Sequence, residues 1–233
     1  MCGIAGFVNP NGFYIDNAKH IGRVMGESIK HRGPDNSGLW YDQSYGVLLV
    51  HQRLSIVDLS KSANQPMTSA SGRYVLCFNG EIYNHKELRS ALGLLEKKSF
   101  WKGYSDTETI LGCLDAYGFK TTLQKLVGMF AIALWDKETK ELFLARDRIG
   151  EKPLYYGKNG DILFFASELK ALRAHPDFNP IINREALSLY VKFNYIPQPY
   201  SIYNGIMKLA PGHYVKLSTN SKPKPFWTLN QTI

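Results

Sequence analysis

The sequence predicts an α+β protein whose elements are layered around two sheets. Three observations lead there. Compact apolar runs bounded by turn residues recur along the chain, helical patterns are grouped fore and aft of the main strand region, and the regular strand–helix alternation of a parallel sheet is missing. At 233 residues and 44% apolar, with charges interspersed, the chain can bury a sizeable core as one large domain or two small ones.

The elements follow in order. Gly3 to Phe7 is a short strand of small and apolar residues, and Asn9-Pro10-Asn11-Gly12 is turn chemistry. Asn17 to Lys30 carries Ile21, Val24, Met25 and Ile29 on one helical stripe, with Asp16 or Asn17 as cap. The helix stops at His31-Arg32-Gly33-Pro34-Asp35. Gly46 to His51 is a strand running into Gln52 to Asp58, and polar Ser60 to Ser71, with Pro66, is a loop. Arg73 to Phe78 is the next strand, ending at Asn79-Gly80, and a helical pattern at Leu88, Leu92 and Leu95 follows it. Ser105-Asp106-Thr107-Glu108 is a capping box opening a helix through Tyr117. Phe130 to Trp135 and Glu141 to Arg146 form a hairpin about Asp136 to Lys140. Arg146 to Tyr156 is a Gly/Pro-punctuated link into a further strand, and Asp161 to Ala166 is another. Ser167 to Ala174 and Arg184 to Val191 are short helices, the latter capped by Asn183, and His213 to Leu217 is a last strand. Lys222-Pro223-Lys224-Pro225 reads as an extended exit segment.

Composition narrows the function classes. No apolar run approaches the ~18 residues of a membrane helix, and the N-terminus lacks a secretory signal, so a cytoplasmic protein is expected. Three cysteines without a CxxC pair argue against a disulfide framework or a metal site; Cys77 and Cys113 lie in apolar runs and read as core. The formal charge of +8 is spread over scattered Lys and Arg with no nucleic-acid-binding motif. A basic face toward a partner domain or an anionic substrate fits it better.

Four places carry chemistry. If Met1 is removed, Cys2 presents a thiol and a free α-amine together, and an amine that titrates near ~8 needs only a modest downward shift to act as base. Arg53 ends a buried strand, where its planar fork suits a carboxylate. An Asn79 amide beside the Gly80 N–H makes an oxyanion hole. Asp106 at a helix start is by default a favourable charge there, and in the sharper reading it binds an ammonium group, with Glu81 beside it. One nucleophile, one carboxylate clamp, two ammonium partners and an oxyanion hole describe a free amino acid with an amide side chain, which is glutamine, and thiol attack that releases ammonia.

On Met1 to Phe7, His31 to Asp35, His51 to Asp58, Phe78 to Asn84 and Tyr104 to Glu108, the chain resembles the class II glutamine amidotransferases, which are N-terminal-nucleophile hydrolases. The wording His-Arg-Gly-Pro-Asp, Arg-Leu-Ser-Ile-Val-Asp and Asn-Gly-Glu-Ile-Tyr-Asn is similar in particular to the glutaminase domain of asparagine synthetase. The resemblance extends to about Trp227 and implies a four-layer αββα sandwich of two mainly antiparallel sheets. It implies that Cys2 attacks glutamine with its own amine as base, that Asn79 and Gly80 form the oxyanion hole and that Arg53 binds the α-carboxylate. Main-chain groups of Leu54, Ser55, Ile56 and Val57 are expected to line the pocket, and Glu81 and Asp106 to fix the α-amine. No cofactor or metal is expected in this domain. ATP and Mg belong to a synthetase domain, whose Gly-Gly-containing pyrophosphate loop has no counterpart here because the sequence has no Gly-Gly pair. Residues 2–217 are therefore expected to form the amidotransferase domain and 218–233 an exit segment toward a synthetase domain acting in cis or trans, the chain being a fragment, a truncated product or half of a split enzyme. The expected partners are glutamine, that domain and a second copy in a homodimer, and neither nucleic acid nor membrane. The alternative is a catalytically silent domain that senses glutamine or docks a partner.

Overall fold

A strand apolar at every position has two faces to bury, and several such strands demand a stack of layers. The computed structural model, which describes residues 1–95, 101–218 and 222–229, resolves that demand with two antiparallel sheets placed face to face and helices outside each. In chain order the elements are β1 (Gly3–Val8), α1 (Ile15–Ser28), β2 (Asn36–Asp42), β3 (Val47–Arg53), β4 (Met67–Thr68), β5 (Tyr74–Ile82), α2 (His85–Leu95), α3 (Asp106–Tyr117), α4 (Phe119–Lys125), β6 (Gly128–Asp136), β7 (Glu141–Arg146), β8 (Tyr155–Asn159), β9 (Ile162–Ala166), α5 (Leu169–Arg173), α6 (Arg184–Phe193), β10 (Ile206–Lys208), β11 (His213–Lys216) and β12 (Lys224–Pro225). The first sheet has the order β10-β8-β9-β1-β3-β2 and the second β12-β11-β7-β6-β5-β4.

Alternation along each strand assigns its faces. Ile4 on β1, Val47 and Leu49 on β3, and Val75 and Cys77 on β5 pack together in the core between the sheets. Ala5, Phe7, Leu48 and Val50 turn the other way, against Ala18, Ile21 and Met25 of α1 and Leu172 of α5. Leu76 and Phe78 turn toward Ile110, Leu111 and Leu114 of α3. The layers are thus helix, sheet, sheet, helix, as expected.

Several local expectations are corrected. Tyr14, not Asp16 or Asn17, precedes α1, and it makes no side-chain cap; Val24 on the expected stripe is 40% exposed, while Gly22 and Gly26 are buried there instead. Gly22 faces Leu39 and Leu48, so closely that a Cβ would lie 2.5 Å from Leu39 Cδ1. The capping box is half formed: Ser105 Oγ accepts the Glu108 N–H, but the Glu108 carboxylate turns to the N–H groups of Lys102 and Gly103 and to Arg89. The strand expected to end at Phe78 runs on to Ile82, because Asn79 and Gly80 pair with Ala131 and Phe130 of β6. β2, the short β4 and β10, and α4 are elements the sequence reading lacked. Leu95, the last residue of the expected α2 stripe, has its side chain outside the described residues. In the stretch expected as an exit segment, Lys224–Pro225 pairs with β11, and Phe226 is buried.

Candidate active site

The same alternation builds the site. On β1, Ile4 faces the second sheet, so Cys2, two residues earlier, points into the same gap; on β3, Val47 and Leu49 are followed by His51 and Arg53, and on β5, Val75 and Cys77 by Asn79 and Glu81. The antiparallel register sets Gly3 opposite Gln52 and Ile4 opposite His51, which brings Cys2 level with the end of β3. Nucleophile, guanidinium, amide and carboxylate therefore converge because each sits one or two pleats beyond the apolar core, at one end of two facing sheets.

The cleft there, about 620 Å³ counting its open mouth, is lined by Cys2, Arg53, Asn79, Gly80, Glu81 and Asp106, together with Leu54, Ile56 and Val57. Ser55 is the expected residue that the structure does not bring into the lining; its N–H is donated to the Asp35 carboxylate at 2.8 Å. Cys2 Sγ accepts from the Leu54 N–H at 3.4 Å. Burial pushes the thiol up from its ordinary value, opposed by the Leu54 N–H, the N-terminal charge and Arg53. Met1 is attached in this structure, so the Cys2 nitrogen is a peptide nitrogen.

Arg53 is buried, 6% exposed, and among the described residues no carboxylate lies within 4 Å of it. Its NH1 donates to Ser60 O at 2.9 Å and Asn64 Oδ1 at 2.7 Å, and its NH2 to Asp58 O. These bonds use three of its five N–H donors. A buried cation with donors to spare suits an incoming anion.

Asn79 is 1% exposed, and neither its Nδ2 nor its Oδ1 has a hydrogen-bond partner in the structure. Phe130, its neighbour's register partner, turns its N–H and C=O to Asp147, so Gly80 directs its own backbone groups to the opposite edge of β5. On that edge the Phe78 N–H goes to Gln65 Oε1 (2.6 Å) and the Ile82 N–H to Asp106 Oδ2 (3.0 Å), and the Gly80 N–H lies between them. Glycine is required at 80 for a reason other than ligand approach, since a Cβ there would stand 2.1 Å from Met129 O. Asp106 also accepts the Thr107 N–H at 2.8 Å, and burial raises its carboxyl above the usual range despite both bonds.

Several participants were not legible in the sequence. Arg32 donates through Nε to Cys2 O (3.0 Å) and through NH1 to Glu168 (2.8 Å), clamping the backbone of Cys2. Gly33 lets that turn lie on the end of β3, where a Cβ would meet Gln52 O at 2.4 Å. His51 Nε2 donates to Phe78 O at 3.0 Å and so ties the first sheet to the second beside Asn79; burial lowers its pKa to about 4 and keeps it neutral. Lys152 lines the cleft from the β7–β8 loop. No spacing rule links a lone Lys152 or Glu168 to residues more than a hundred positions away. Among the described residues no cluster of His, Cys, Asp and Glu is arranged to hold a metal ion, and no helix is long and apolar enough to cross a membrane.

The model of a family described as a glutamine amidotransferase domain matches residues 1–227. Asparagine synthetase (glutamine-hydrolyzing) 1 of Bacillus subtilis is 38% identical over 91% of this chain and 33% of its own length. A putative asparagine synthetase (glutamine-hydrolyzing) 2 of Methanocaldococcus jannaschii is 36% identical over 90% of the chain and 42% of its own length. This chain thus spans well under half the length of these curated relatives. Of solved structures, the glutamine phosphoribosylpyrophosphate amidotransferase from B. subtilis superimposes with a TM-score of 0.71 over 97% of this chain and 50% of its own, at 19% identity, a likeness that speaks for the fold.

Proposed function

The chain belongs to the glutamine amidotransferase family, and from that premise we propose that it hydrolyses L-glutamine to glutamate and ammonia through a thioester on Cys2. The observation that carries the reading is the buried, unpartnered amide of Asn79 in the gap that Cys2 also enters. Once Met1 is removed, the α-amine takes the thiol proton and Sγ attacks the amide carbon of glutamine. The oxyanion receives the Asn79 Nδ2–H and the Gly80 N–H. The protonated amine returns its proton to the leaving nitrogen, ammonia departs, and water activated by the same amine hydrolyses the thioester to glutamate. Arg53 takes the α-carboxylate, Glu81 and Asp106 take the α-ammonium, and the backbone of Leu54, Ile56 and Val57 forms the wall; no cofactor enters these steps.

The ammonia is proposed to pass to a synthetase domain in the cytoplasm, where ATP and Mg would activate a carboxylate. The resemblance to asparagine synthetases supports aspartate as that acceptor. The amidotransferase unit is proposed to include β12 and to run to about Trp227, where the family match ends, rather than to 217.

The test is release of glutamate and ammonia from glutamine by protein whose Met1 is absent by mass spectrometry, with Cys2→Ala beside it. Turnover lost in the variant supports the reading. Glutamine binding by calorimetry without turnover in processed protein would replace it with the silent sensing domain.

A further inference from the structure

The loop from Arg146 to Pro153 is built as a rigid mount. The Asp147 carboxylate, fully buried, accepts the N–H groups of Phe130, Ile149, Gly150, Glu151 and Lys152. Arg146 beside it donates to the carbonyls of Gly150, Lys152 and Leu209. With its polar groups so used, the loop has little freedom, and the side chain it delivers to the cleft is Lys152.

Lys152 is 5% exposed, and among the described residues no carboxylate lies within 4 Å of its ammonium. Its Nζ donates to Met1 Sδ at 3.2 Å. A thioether is a weak acceptor, and it leaves with Met1. A buried ammonium is costly unless paired, so its presence over the N-terminal residue calls for a reason. The one carboxylate of glutamine already has Arg53.

We propose that Lys152 is a positioning residue whose ammonium holds the freed α-amine of Cys2 in its uncharged, proton-accepting form at neutral pH. The proposal rests on the glutaminase reading above and names how that reaction's base is tuned. Two like charges in one partly buried cleft disfavour protonation of the weaker base, which is the amine. The other charges facing Cys2 are Arg53 from β3, with the same sign, and the carboxylates of Asp58, Glu81 and Asp106 from the loop after β3, from β5 and from α3. Arg32, on the turn after α1, is neutralised by Glu168 at 2.8 Å, and His51 is neutral. Three carboxylates would raise the amine; Lys152 and Arg53 oppose them, and only Lys152 is left without a substrate group to bind.

The test labels the protein with [15N]cysteine and exposes Cys2 by cleaving a leader peptide. The amine nitrogen of Cys2 resonates far from the amide nitrogens of Cys77 and Cys113, so it can be titrated directly. Lys152→Met is expected to raise the amine pKa by about 0.5–1.5 units, from Coulomb repulsion at an intermediate effective dielectric, and Lys152→Arg to restore it. The acid limb of the glutaminase pH profile should move by the same amount in the same direction. An amine that titrates alike in wild type and Lys152→Met, both with native melting curves, overturns the proposal. A shifted amine in a protein that never turns over glutamine would instead sink the glutaminase reading and leave the electrostatic role standing.

Discussion

Replacing Asn79 by alanine separates chemistry from stability, because the structure assigns the side chain no structural partner. It is 1% exposed, and both its amide nitrogen and its oxygen lack hydrogen bonds. An unmet buried polar group costs ~1–3 kcal/mol, so deleting it relieves a penalty of about the size of the packing that is lost. The folded state should change by less than about 1 kcal/mol in either direction. Ordinary buried asparagines, tied to backbone, would cost more than that. The reaction should suffer far more, since removing one oxyanion donor costs roughly 10²–10³ in kcat, or ~2.7–4 kcal/mol of transition-state stabilisation. KM for glutamine should stay within about threefold, because the donor meets charge that develops only after attack. Urea unfolding and steady-state glutaminase kinetics on the same preparations give the two numbers. A loss of more than ~2 kcal/mol in stability with kcat within tenfold of wild type would show Asn79 to be a structural residue and refute the reasoning.

Further tests probe the supports of the site. His51 is held near a pKa of about 4 against 6.5 in an unfolded chain, so the unfolded state binds the extra proton between those values. The stabilisation is complete above about pH 6.5 and is lost as the pH falls through 4, worth ~3 kcal/mol; His51→Gln should unfold with a flatter pH dependence over that window in urea titrations. Gly80→Ala should cost at least ~2 kcal/mol by thermal or urea unfolding, because its Cβ would sit 2.1 Å from the backbone oxygen of Met129 and two paired strands would have to part. Arg53→Lys should raise KM for glutamine by tenfold or more in the same kinetic assay, since an ammonium cannot hold Ser60 O, Asn64 Oδ1 and Asp58 O and still offer a planar fork to a carboxylate.

What the sequence made legible follows from which signals are local. Apolar runs such as Val47–Val50 and Phe130–Trp135 announce strands whatever surrounds them, so most of both sheets could be read. β2 could not, because its Gly38 looks like a break. Its glycine answers a distant neighbour, as a Cβ would stand 1.8 Å from Gln65 O. Asn79-Gly80 has the local preference of a turn, yet pairing with β6 overrides it and extends β5 through the site. Cys2, Arg53, Asn79, Glu81 and Asp106, which the structure gathers in one cleft, stood out in the sequence because each is a chemically distinctive residue type at a strand or helix end. Arg32, His51, Gln65 and Lys152 act through partners 13 to 151 positions away, which no spacing reveals.

This end of the two sheets violates the rule that buried polar groups find partners, and it does so on facing strands of different sheets: His51 Nδ1 on β3, and both polar atoms of Asn79 on β5. Apolar residues at these places would pack the gap between the sheets more favourably. They would also close it, and leave nothing to receive a developing negative charge beside Cys2. Because the two sheets carry different parts of the site, their alignment at this end matters to within a fraction of an ångström. The His51 bond to Phe78 O holds it, one residue from Asn79, with Arg32 fixing Cys2 from the other side. A bond made by a neutral imidazole serves here because it spans the sheets without adding a second buried cation next to Arg53. On the proposed reading, the stability forgone at Asn79 and the acid sensitivity introduced by His51 thus have one origin, the need to hold an unpaired amide steady between two sheets until a substrate completes its hydrogen bonds.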